Sequence, residues 1–304
     1  MAALKWIFTF VFIVTITPIP AFSQSAMSYI YYHDQDTDVD KRNEYLWRIL
    51  KCALDHTQRD WGDYVLTPSN VLYQKRRIYI LEHNQDSVNV GLFPSQRLLE
   101  KRLIPVRIPV DRGMLGYRVL LIRSSEQALF DRVQSLEDLK RFRFGLLSSW
   151  EDVPIMEAAD QQVVTGSSYP GLFQMLSSGR FDAFSRSSGE ILGEFADHQK
   201  DLQGVAIEKH ILLHYPMPAY FWFPNSEDGR RRAERVRQGL LAMIRDGSYQ
   251  ALFDEQFGEM IKRLDLDHRL VLELPNPLLG DEDPLDNPVL WYRPRSVIAL
   301  NRRE

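Results

Sequence analysis

Short strand-like apolar runs alternate with helical patterns along most of this chain, and that rhythm confines it to α/β layer architectures. The runs at 28–32, 64–66, 88–93, 117–122, 142–147, 162–165, 181–184 and 205–214 read as strands. Between them, residues 41–57 repeat apolar side chains at helical spacing, with Tyr45, Ile49, Cys52 and Leu54 on one side. Residues 71–82, 154–159, 169–176, 189–201, 227–245 and 249–257 read as further helices. Ser135 before Leu136-Glu137-Asp138 is a capped helix start, while Asp246-Gly247 and Gly258 read as helix stops. From 275 onward, Asn-Pro and Asp-Pro steps oppose regular structure, yet Leu290-Trp291-Tyr292 is apolar enough to dock back onto the body.

The 304 residues, 44% of them apolar, suffice for one large domain or two modest lobes. A formal net charge of −4 gives no global pull toward nucleic acid or anionic membranes, so neither is expected as a partner. The one dense basic stretch, Arg230, Arg231, Arg232, Arg235 and Arg237, falls in a helical segment with Glu234 and reads as a solvated helix face.

The amino terminus points to export. Lys5 precedes an apolar run over 6–16, broken by Pro18 and Pro20, and Ala21-Phe22-Ser23 places small residues where signal peptidase reads. An anchor helix needs about 20 apolar residues, roughly twice this run. Residues 1–23 are therefore expected to be a signal peptide, cleaved after Ser23 or Ser25, and no cysteine follows that would carry a lipid. Cys52 is the sole cysteine, so an internal disulfide is impossible and the thiol reads as structural.

Catalytic signatures are lacking. The seven histidines show no metal-binding spacing, no phosphate loop occurs, and Gly166-Ser167-Ser168-Tyr169-Pro170 lacks the second glycine of a nucleophile elbow. Neither a metal, a cofactor nor a catalytic residue is expected.

Several blocks, in order and at the right spacing over roughly residues 85–260, resemble the family 3 extracellular (periplasmic) solute-binding proteins of the amino-acid-transporter type. Ser135-Leu136-Glu137-Asp138-Leu139-Lys140 with the strand after it is one. Gly179-Arg180-Phe181-Asp182-Ala183 after the helix from Tyr169 is a second. The helix containing Arg235 and Gly239, then Asp246-Gly247-Ser248-Tyr249 and a helix ending in Phe257-Gly258, is similar to the family's closing helices. The resemblance implies a type II periplasmic binding fold: two α/β lobes, each a mixed sheet flanked by helices, joined by two hinge crossings near 115–117 and 214–217. Lobe 1 would hold 24–115 and 217–304, and lobe 2 would hold 116–216.

The same resemblance places a ligand-clasping arginine at Arg97, with Ser95 beside it. A bidentate arginine and hydroxyls suit a carboxylate. From lobe 2, Ser148, Ser149 and Trp150 would contribute hydroxyls, N–H groups and a stacking ring. Tyr32, beside Tyr31 and His33, ends the first strand where family members place cleft aromatics. Ser187 stands where amino-acid binders commonly carry an acid, with Arg186 before it and Glu190 three residues on; that departure shifts the expectation toward acidic solutes. Asp182 reads as a turn tie. The implied role is a monomer that closes around a small solute and docks on the membrane permease of an ABC-type transporter. Alternatives are a ligand-sensing subunit for a membrane receptor, a dehydratase-like enzyme using Glu190 or Glu151, or a relative that has lost its ligand.

Overall fold

Strand β5 (Tyr117–Arg123) organises the larger sheet, and its composition explains why. Val119, Leu120, Leu121 and Ile122 are all fully buried. Alternation along the strand sends Leu120 and Ile122 into one apolar layer and Val119 and Leu121 into the other. Only a central strand covered on both faces tolerates such a run.

The structure is a computed structural model and describes residues 26–32, 39–69, 74–198 and 202–296. The expected signal peptide and His33 lie outside the described residues. The chain opens with β1 (Met27–Tyr32), α1 (Val39–Asp55), α2 (Gln58–Trp61), β2 (Tyr64–Ser69), α3 (Gln74–Glu82), β3 (Gly91–Pro94), α4 (Arg97–Glu100) and β4 (Leu103–Val106). After β5 come α5 (Gln127–Phe130), α6 (Leu136–Leu139), β6 (Arg143–Leu147), α7 (Asp152–Ala158), β7 (Gln162–Gly166), α8 (Tyr169–Ser177), β8 (Ala183–Ser187), α9 (Ile191–Asp197), β9 (Val205–Ile207) and β10 (Ile211–His214). The chain then returns through β11 (Ala219–Pro224), α10 (Glu227–Asp246), α11 (Ser248–Arg263) and β12 (Leu270–Glu273).

These elements make two lobes. In the first, β3-β11-β4 is antiparallel and β1 pairs with β2 in parallel. Asn89 stitches the two sheets: its Oδ1 accepts from Ile30 N at 2.7 Å, and its own N–H donates to Ile30 O at 2.9 Å. Helices α1 and α10 cover one side around Tyr29, Leu50, Phe221 and Val236. Trp222 and Phe93 build a smaller core with α3 on the other. The second lobe is a mixed sheet, β12-β10-β5-β8-β6-β7 with β9 beside β5. There β6 runs parallel to β7 and β8, whereas β5 is antiparallel to β8, β9 and β10.

Several elements depart from the sequence reading for local reasons. The expected strand over 205–214 is two strands, because the Glu208 carboxylate accepts from the backbone N–H of His210 (2.6 Å) and Ile211 (2.7 Å) and turns the chain. Helix α11 runs past Gly258 to Arg263, since Met260 and Ile261 still pack on the second lobe's core. Arg235 leaves the solvated arginine face. It is fully buried, and its guanidinium donates to Gly62 O at 2.7 Å and Thr57 Oγ1 at 3.1 Å, closing the loop after α2. Asp182 ties a turn as read: its carboxylate accepts from Arg143 N at 2.9 Å and from the Arg123 guanidinium at 3.1 Å.

The crossings between the lobes near Gly116 and Tyr215 lie side by side. Tyr215 N donates to Gly116 O at 3.2 Å, and His214 faces Tyr117 in the β5–β10 ladder. A Cβ on Gly116 would collide with the Tyr215 carbonyl, a backbone atom with nowhere to go. Gly116→Ala is therefore expected to cost about 1–3 kcal/mol in urea unfolding. An unchanged midpoint would mean that the crossings are looser than this packing.

The tail is a strap. After β12, which pairs with β10 in the second lobe's sheet, it crosses back to the first. Asn276 Nδ2 donates to Pro216 O at 2.8 Å, and Arg97 N donates to Leu278 O at 3.0 Å. Leu290 and Trp291 join the first lobe's core, while Tyr292 packs on the second's.

Candidate functional site

A cavity of about 250 Å³ lies between the lobes. Lobe 1 supplies Tyr32 at the end of β1, Tyr45 from α1, Phe93 and Pro94 from β3, and Ala219 from β11. Lobe 2 supplies Ser187, Gly189 and Glu190 from the end of β8 and the turn after it. The segment leading into the first crossing adds Asp111, Met114 and Leu115, and α11 adds Gln256 and Phe257. The walls are mainly aromatic and aliphatic, with a few convergent polar groups, as small-molecule sites usually are. The Tyr45 and Phe257 rings meet edge to face at 5.2 Å.

Asp111 is buried and accepts from Gly113 N at 3.0 Å and Leu115 N at 2.9 Å, folding the chain back just before the crossing. Burial pushes its carboxyl up to about 6, against the lowering effect of those hydrogen bonds. A folded-state value above the unfolded one near 3.8 means that the folded chain holds this proton more tightly. Its contribution to stability is full below about pH 4 and is lost as pH rises through 6. Measured against Asp111→Asn, the native chain should lose up to about 3 kcal/mol between pH 4 and pH 7. Parallel pH profiles for the two chains would show that burial does not perturb Asp111.

The Arg186 guanidinium is buried below Glu190. It pairs with Glu194 through Nε at 2.6 Å and again through Nη2, and with Glu190 at 3.1 Å. Its flat face lies 4.5 Å from the Trp150 ring centre. The arginine at this position thus does not repel an ammonium: two carboxylates more than match it.

The structure brings together part of the expected set. Tyr32 and Glu190 line the cavity, Arg186 supports Glu190, and Trp150 supports Arg186 while stacking on Phe184. The others sit elsewhere. Ser95 is buried, and its hydroxyl donates to Asp283 of the strap at 2.7 Å. Arg97 is half-exposed and pairs with Asp281 of the same strap at 2.9 Å. Ser148 and Ser149 are exposed on the turn after β6, and the Ser148 N–H is spent on Gly166 O. One further contact crosses between lobes: Gln96 Nε2 donates to Glu151 Oε1. Burial, reinforced by Asp152, raises the Glu151 carboxyl above its ordinary value.

Sequence reasoning missed Tyr45, Phe257 and Asp111. The last had a local signal: an Asp two residues before a glycine with φ of +76° is a side-chain-closed turn. Among the described residues no group of three or more His, Cys, Asp or Glu could hold a metal, and no helix is long and apolar enough to cross a membrane.

Two lobes joined by paired crossings, with a cavity between them, define a type II periplasmic binding fold, and comparison with solved structures bears this out. An ancestral arginine-binding protein bound to arginine superposes with a TM-score of 0.51 at 16% identity, over 77% of this chain and 100% of its own. A Salmonella typhimurium periplasmic binding protein of high arginine specificity gives 0.51 at 13% identity, over 76% and 100%. A histidine kinase sensor domain similar to periplasmic binding proteins gives 0.52 at 12% identity, over 77% and 97%. At these identities the likeness is one of fold. No family model and no curated protein sequence matches the chain.

Proposed function

We propose that this chain is an exported, periplasmic solute-binding protein that closes its lobes around a small polar solute. The observation that carries the reading is the cavity itself, walled by both lobes and by the segment leading into the first crossing. Hinge motion about 115–117 and 214–217 would open and seal it. The monomer would then dock in its closed form on the permease of an ABC-type transporter. An ancestral arginine-binding protein and a periplasmic binding protein of high arginine specificity, both of the same fold, favour solute binding as the role. A sensory role has its own support in the histidine kinase sensor domain of the same fold. Enzymatic use of Glu190 or Glu151 is disfavoured by their engagement with Arg186 and Gln96.

A thermal-shift panel of amino acids, dicarboxylates, small peptides and small amines tests the reading. At a hundred times its dissociation constant, a bound solute adds about 2.7 kcal/mol of stability. A saturable shift by at least one member is expected. A flat response across all four classes would overturn the proposal.

A further inference from the structure

The charged side chains lining the cleft carry one sign. Among the described residues they are Asp111 and Glu190, accompanied by the uncharged Ser187 and Gln256. Behind Glu190 the single Arg186 guanidinium is already shared with Glu194. Arg118, the next buried cation along the cleft side of β5, pairs with Asp152 at 3.0 Å and donates to the Tyr215 hydroxyl at 2.5 Å. Arg77 lies over the Tyr32 ring, 3.5 Å from its centre, and is not a lining side chain.

The groups that could have received an anion from lobe 1 are committed to the chain's own acids. Asp281 takes Arg97, Glu282 takes Arg107 at 3.0 Å, and Asp283 takes the Ser95 and Tyr220 hydroxyls, each at 2.7 Å. A solute carboxylate entering this cavity would meet carboxylates, with no cation among the described lining residues to replace its lost hydration. An ammonium would meet the opposite environment. Four carboxylates, Asp111, Asp152, Glu190 and Glu194, outweigh the two guanidinium groups of Arg186 and Arg118, and the Tyr45, Phe93 and Phe257 rings line the cavity, where an aromatic face attracts a cation. The remaining walls, with Leu92, Met114, Leu115 and Ala219, suit a hydrocarbon body.

We infer that the solute is a small organic cation, an amine with an apolar body and no carboxylate. The inference rests on the cleft being the solute site, and it excludes plain α-amino acids and dicarboxylates as the preferred ligands.

Two matched series test it by titration calorimetry on the native chain: 2-phenylethylamine, phenylalanine and 3-phenylpropanoate, then 3-methylbutylamine, leucine and 4-methylpentanoate. Each series keeps the body and changes only the charged groups. At least one amine should bind tenfold or more tightly than its amino acid, and neither acid should show saturable binding at millimolar concentration. An amino acid or acid that binds as well as its amine overturns the charge assignment while leaving the cleft reading intact. If none of the six binds, the cation assignment falls, and the wider panel alone decides the fate of the cleft reading. Glu190→Gln should weaken the best amine about tenfold with little change in the unliganded melting temperature. An unaltered affinity in a folded Glu190→Gln chain also overturns the inference.

Discussion

Replacing Trp291 with Ala is expected to lower the unfolding free energy by about 3–5 kcal/mol. The indole is buried, sits where a side chain on Gly113 would be, and donates to Pro284 O at 2.8 Å. Its loss removes a large apolar surface and unfastens a segment with few other apolar anchors. The neighbouring Tyr292 N donates to Arg112 O at 2.8 Å, and Tyr117 OH donates to Tyr292 O at 2.9 Å. The strap therefore grips the first crossing from both sides. Urea unfolding gives the number, and hydrogen exchange locates it: amides around 111–117 should lose protection in Trp291→Ala. Trp291→Phe, which keeps most of the ring volume, should recover much of the stability. A loss below 1 kcal/mol, with protection unchanged, would mean that the tail does not hold the crossing.

Glu194→Ala should cost a similar amount, about 3–5 kcal/mol, for an electrostatic reason. Arg186 and Glu194 are both nearly inaccessible, and removing one partner of such a pair leaves a buried charge only partly matched. Glu190, the remaining partner, is one-third exposed. It would be drawn more fully onto Arg186, and its charge would be withdrawn from the cavity. Stability and cleft chemistry should thus move together. Replacing both members by Met and Leu of similar bulk should recover a large part of the loss, because a neutral pair leaves no orphan charge. If Glu194→Ala unfolds like the native chain, water reaches Arg186 and the pair is not a buried one.

The legible parts of this molecule were those whose signals are local. The apolar run of β5 announces a doubly covered strand. Ser135 and Asp138 form the capping box that their spacing predicts, with Asp138 N donating to Ser135 Oγ at 3.3 Å. Tertiary contacts between distant segments were not legible. Strand β11, six buried residues after a Pro-Met-Pro interruption, shows no alternation because both its faces are covered. Strand β12 acquires its identity from β10, some 60 residues earlier. Arg97 illustrates the same limit at the site. Its surroundings suit a carboxylate grip, and it does grip one, but the acid is Asp281, whose approach depends on the path of a tail without regular structure. Tyr32 and Glu190 were named through the resemblance, one where relatives place cleft aromatics and the other just beyond the position where they carry an acid, and both line the cavity between the lobes.

The most direct test of a solute site in this cleft is to fill it. Gly189 lines the cavity from an exposed turn, and a Cβ there would meet Phe257 and Ser187 only at ordinary contact distance, 3.8 Å each. Gly189→Leu should therefore leave the unliganded melting temperature close to that of the native chain while occupying the space between Phe257 and Glu190. Measured by calorimetry with whichever solute binds the native chain most tightly, affinity should fall at least a hundredfold in the filled chain. Equal affinity in the two would place the solute outside this cleft and contradict the account.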